Sequence, residues 1–142
     1  MTTMAVPVEA PVVRSGDLGC LQTLPCRPGS AKSARLLVSV ALRAWSLDHL
    51  YDTAGLLISE LVANTVRHTD CPVISVSVAR RPGSVWFAVN DSSDKRPVLV
   101  VTRSDAESGY GMGLVDSLSS RWGVAPTASG KRVWFELTED GS

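Results

Sequence analysis

Apolar and polar positions recur with two different periods along this chain, and the change of period divides it. Residues 29–45, GSAKSARLLVSVALRAW, place Leu37, Val40, Ala41 and Ala44 at helical spacing. That predicts a helix, with Ser30 as its N-cap. A second helix is predicted from a cap at Asp48 to about Thr69, with Ile58, Leu61, Val62 and Val66 on its buried arc. The period then drops to two. In VISVSVA (73–79), Ile74, Val76 and Val78 alternate with serines; in SVWFAVND (84–91), Val85, Phe87 and Val89 oppose Trp86 and Ala88. Pro82 and Gly83 lie between the runs, so the pair reads as an antiparallel hairpin with one covered face.

Weaker patterns fill the remainder. LGCLQTLPC (18–26) is an expected first strand, stopped by Pro25 and Pro28. KRVWFEL (131–137) alternates and is expected to be the last strand. GMGLVDSLSSRWG (111–123) reads as a short helix with Leu114, Val115 and Leu118 inward. Residues 92–110 are mostly polar, apart from the VLVV patch at 98–101, and a connection of that length in a small domain is usually functional or mobile. Residues 1–17 show no period and are read as a loose arm before one domain at 18–142.

Composition narrows the class. The 142 residues suit one domain that needs no staples, and 44% apolar with 20% charged is ordinary for a globular chain. Fourteen basic residues balance fourteen acidic ones, which gives no reason to expect direct nucleic-acid binding. Three cysteines without C-x-x-C spacing and two histidines argue against structural zinc and a disulfide framework, and fit free thiols in a reducing cytoplasm. No apolar run is long enough to span a bilayer, and no signal-peptide pattern opens the chain.

Three features carry candidate chemistry. Glu60, Asn64 and His68 fall within about 80° on the second helix, beside its buried arc. Such a row can face water; facing a cleft, it offers a carboxylate for proton transfer and an amide oxygen for a hard cation. Asp91 ends an apolar strand, where it can cap a turn or accept from the exocyclic amine of adenine. Gly109, Gly111 and Gly113 precede a predicted helix, where backbone N–H groups can cradle phosphate. Neither the dinucleotide fingerprint nor the Walker sequence is present.

These features, in this order, resemble GHKL-type ATPase domains. The segments LPCRPGSAKSARLLV, ISELVANTVRH, GYGMGLVDSLSSRWGV and GKRVWFEL resemble in particular the small actinobacterial anti-sigma-factor serine/threonine kinases, over about residues 20–138. The resemblance implies an α+β, two-layer sandwich (the Bergerat-type ATPase fold), with a mixed, mostly antiparallel sheet and helices on one face. It implies ATP and Mg as cofactors, Asn64 as magnesium ligand and Glu60 as general base. Asp91 would bind adenine, while Gly109, Gly111, Gly113 and Leu114 would flank the phosphates under a lid at 92–110. Arg67 and His68 would have supporting roles. The implied partners are a sigma factor and an anti-sigma-factor antagonist, and relatives are often dimers. Two departures bear on affinity. Ser93 stands where the family has the glycine of Asp-x-Gly, and Arg132 stands where a small hydroxyl residue often follows Gly-Lys near the adenine-binding acid. A regulatory module that binds nucleotide weakly and transfers nothing is the alternative; the ATPase part of a histidine kinase is a further one, although no phosphoacceptor helix pair is present.

Overall fold

The computed structural model describes residues 11–91 and 112–141. In chain order the elements are β1 (Gly19–Pro25), α1 (Ser30–Ala44), a 3-10 turn (Asp48–Leu50), α2 (Tyr51–His68), β2 (Val73–Arg81), β3 (Ser84–Asp91), α3 (Met112–Leu118), β4 (Arg121–Pro126) and β5 (Lys131–Thr138). The strands form one sheet in the order β1-β2-β3-β5-β4, and all four pairings are antiparallel. The described sheet is therefore not mixed, because each neighbouring pair runs in opposite directions. The helices pack on one of its faces.

Alternation decides which face they cover. Ile74, Val76 and Val78 of β2, Val85, Phe87 and Val89 of β3, and Val133, Phe135 and Leu137 of β5 are all buried. They meet Ala34, Leu37, Val38, Ala41 and Leu42 of α1, and Leu57, Ile58, Leu61 and Val62 of α2. Phe87 and Phe135 are register partners with stacked rings, centroids 4.6 Å apart. The opposite face carries Trp86 and Trp134, with centroids 6.0 Å apart. On that face Glu136 accepts from Ser84 Oγ at 2.6 Å and from Arg121 Nε at 2.7 Å. The Ser84 hydroxyl and the Arg121 guanidinium hold its carboxyl below the usual range against the opposing effect of burial.

Several local expectations are corrected. Gly29, not Ser30, is the N-cap of α1; Ser30 is the first helical residue, and its hydroxyl donates back to the Pro25 carbonyl. Asp48 does not cap α2 but opens the 3-10 turn before it. The helix predicted at 111–123 ends at Leu118, and Arg121–Pro126 is strand β4. Leu114 and Leu118 are 42% and 44% exposed, while Met112 and Val115 are buried. Met112 and Val115 lie one turn apart and face α2; Leu114 and Leu118 share a different arc. Part of the arm is tied down. Val13 packs on the core, and Trp45 Nε1 donates to the Asp17 carbonyl at 2.9 Å. Residues 92–110, with VLVV and the expected lid, lie outside the described residues.

The stacked phenylalanines and the reassigned face of α3 can be tested together. Phe87→Ala should cost about 3–5 kcal/mol, lowering the thermal midpoint by about 10 °C. Leu118→Ala should change stability by less than about 0.5 kcal/mol. A large loss at Leu118 would put that side chain in the core and contradict the helix orientation.

Candidate functional site

The α2 row sits where its spacing placed it. Glu60, Asn64 and His68 are all half-buried, while Ile58, Leu61 and Val62 beside them are fully buried. Val66 is only partly buried. Along the axis Asn64 stands about 6 Å, and Glu60 about 12 Å, from His68. The side-chain oxygen of Asn64 is buried and accepts no hydrogen bond among the described residues. Such an oxygen costs about 1–3 kcal/mol unless something else satisfies it. The Gln22 amide oxygen on edge strand β1 is also buried and unpartnered, so an orphaned oxygen alone does not define a cation site. What sets Asn64 apart is its place between a carboxylate and an imidazole on one helical row.

Asp91 ends β3 on the helix-facing side of the sheet, and its neighbour there is a cation. The register sets Asp91 opposite Lys131. Lys131 Nζ lies 3.3 Å from Asp91 Oδ2, with side-chain exposures of 5% and 0%. The Lys131 backbone N–H also donates to Asp91 Oδ1 at 3.3 Å. Lys131 thus engages both carboxylate oxygens. The turn before β5 presses close behind them. A Cβ added at Gly130 would fall 2.2 Å from the Asp91 carbonyl oxygen and 2.8 Å from Oδ1. Gly130 is therefore required by the approach of two backbones.

This arrangement reassigns the residue beside Asp91. Arg132 pairs with Asn90, not Asp91, and occupies the open face of the sheet. Its Nε donates to Asn90 Oδ1 at 2.9 Å, and its guanidinium lies 5.5 Å from the Trp86 ring centroid. Strand alternation carried the signal: Lys131 has the parity of Val133, Phe135 and Leu137, so it must share their face.

Lys131 also links Asp91 to α2. Burial, followed by the Lys131 ammonium and the Arg67 guanidinium, lowers the His68 pKa from its ordinary value. The C-terminal end of α2 and the end of β3 therefore meet at one electrostatic neighbourhood. Cys26 and Cys71 lie there too: burial, Cys71 and Asp91 raise the Cys26 thiol, while Lys131 acts in the opposite direction.

The expected phosphate segment is only partly described. Ser93, Gly109 and Gly111 lie outside the described residues. Gly113 is an exposed residue in the first turn of α3, and an added Cβ there meets nothing within 4 Å. Leu114 is exposed beside it. Among the described residues nothing requires glycine at 113. No group of three or more His, Cys, Asp or Glu among the described residues could hold a metal ion. No helix among them is long and apolar enough to cross a membrane. Compared with known proteins, the chain matches no family model and no curated protein.

The Asp91–Lys131 pair makes a definite energetic prediction. Lys131→Met takes the ammonium away from a buried carboxylate and should cost about 3–5 kcal/mol. In a double-mutant cycle, adding Asp91→Asn should recover much of that loss. Strict additivity in denaturant melts would show that the two side chains do not interact.

Proposed function

We propose that the chain is an ATP–Mg-dependent protein serine/threonine kinase of the GHKL type. On this reading the sandwich is a Bergerat-type fold, and the protein acts as an anti-sigma factor that phosphorylates a small antagonist. The observation that carries the proposal is the Asn64 oxygen, buried and unsatisfied in the middle of the α2 row. A neutral oxygen with no partner among the described residues fits the preference of magnesium for oxygen ligands.

The roles follow from the residue chemistry. Asn64 would hold magnesium, which supplies charge neutralisation at the phosphates when bound. Glu60, half-buried one turn before Asn64, accepts the proton of the attacking hydroxyl or orients that hydroxyl. Asp91 accepts from the adenine amine with whatever capacity Lys131 leaves it; an ionised carboxylate offers about four lone-pair sites. His68 ends the row, within range of the Lys131 and Arg67 charges. Burial and those cations disfavour its protonated form, which keeps a further positive charge away from Lys131.

One observation favours a second reading, a regulatory module that binds nucleotide weakly and transfers nothing. The Asp91 carboxylate is already held by Lys131 through the side chain and the backbone. Adenine must share that carboxylate with a buried ammonium, which lowers the gain from binding.

Thermal shift and phosphoryl transfer separate these readings. ATP–Mg at about a hundred times its Kd should add about 2.7 kcal/mol and raise the midpoint by about 5–10 °C. Asn64→Ala should remove the magnesium-dependent part of that shift. Radiolabel transfer from ATP to antagonist proteins should be lost in Glu60→Ala while nucleotide binding persists. No shift at millimolar ATP would leave the module reading, and undiminished transfer by Glu60→Ala would remove that residue from the mechanism.

A further inference from the structure

Two of the three cysteines lie side by side at the rim of the Asp91–Lys131 pair. The ladder between β1 and β2 ends at Pro25 opposite Val73, and Cys26 extends it by donating its N–H to the Pro72 carbonyl at 2.9 Å. Cys26 therefore sits next to the loop that carries Cys71. Pro72 follows Cys71 directly in the chain, so this backbone bond brings the two cysteines close together, and the Cys71 thiol donates to the Val73 carbonyl at 3.1 Å. Both cysteines are free and only partly buried. The third, Cys20, is paired with Val78 at the other end of β1, about 20 Å along the strand from Cys26. Burial, with a smaller contribution from Asp17, pushes its thiol up to about 11.

We propose that Cys26 and Cys71 form a thiol–disulfide exchange site, closed reversibly into an intramolecular disulfide by a low-molecular-weight disulfide such as oxidised glutathione. One of the two thiolates attacks a sulfur of the oxidant, forming a mixed disulfide and expelling one thiolate, which takes up a proton. The second cysteine loses its proton and attacks the mixed disulfide at the protein sulfur, expelling the other half of the oxidant. The two cysteines lose two electrons and two protons in all, and the oxidant becomes two thiols. Closure needs the two sulfurs to come within about 2 Å of each other. The bond ties the segment between β1 and α1 to the segment between α2 and β2, beside Asp91 and Lys131.

The site predicts a selective reaction, in contrast to the uniformly free thiols expected from cysteine spacing. Exposed cysteines without a neighbour form mixed disulfides and stop there. A pair on neighbouring, hydrogen-bonded segments proceeds to the intramolecular bond, because the second thiol is held close by. The inference stands apart from the proposed kinase reading, since it concerns sulfur chemistry and needs no nucleotide.

The test uses the full chain, purified reduced, freed of reductant and incubated folded with oxidised glutathione. The intact mass should fall by about 2 Da without a retained adduct. Reactive thiols should drop from three to one, peptide mapping should join Cys26 to Cys71, and dithiothreitol should reverse the change. Cys26→Ser and Cys71→Ser, each checked for native circular dichroism, should instead retain a glutathione adduct on the remaining partner. The proposal is overturned if the wild-type chain retains only separate adducts, keeps all three thiols, or forms a bond that includes Cys20.

Discussion

The antiparallel pairing of β3 with β5 governs both the stability of this chain and its candidate site. One register stacks Phe87 on Phe135 in the centre of the core and, at the strand ends, sets Asp91 against Lys131. A slip of one residue would turn Phe87, Val89 and Asp91 out to the open face, since side chains alternate with a period of two. The apolar pairs hold the register, and the register in turn positions a buried ion pair that is a poor source of stability by itself. Packing thus sustains a charged arrangement beneath the end of α2.

That arrangement changes the chemistry expected of Asp91. A lone carboxylate at a strand end offers all its lone pairs to a ligand; here Lys131 takes part of that capacity. Asn64, by contrast, keeps a buried oxygen that no described group satisfies. The two ends of the candidate site therefore differ. The Asn64 oxygen lacks a partner among the described residues, and the Asp91 end already contains a cation. A nucleotide bridging them would bring a cation to the first and compete with a cation at the second. Cys26 and Cys71 border the crowded end, where a covalent link would reduce the freedom of the segments around Asp91.

Strong periodicity made most of the fold legible. The alternation in VISVSVA and SVWFAVND gave β2, β3 and their covered face, and helical spacing gave α2 with its polar row at the seam. Strand β4 was hidden because RWGVAP contains glycine and proline and follows the helix after only two residues. The face of α3 was misread because three aliphatic residues within two turns can satisfy more than one arc, and tertiary contact with α2 chose Met112 and Val115. Ser30 looked like a cap by residue type, but its hydroxyl found the Pro25 carbonyl. Lys131 was overlooked although the alternation of its own strand placed it inward. The nearness of Cys26 to Cys71 had no local signal, since it arises from the meeting of β1 with the chain that enters β2.

On the proposed reading the α2 row and the Asp91–Lys131 pair form one nucleotide–magnesium site. The side-chain amide resonances of Asn64 report on this most directly, followed by NMR while magnesium and an adenine nucleotide are added separately and together. A joint site requires that they move on joint addition and barely respond to either component alone. Resonances that stay fixed while nucleotide binding is detected elsewhere on the protein would contradict it.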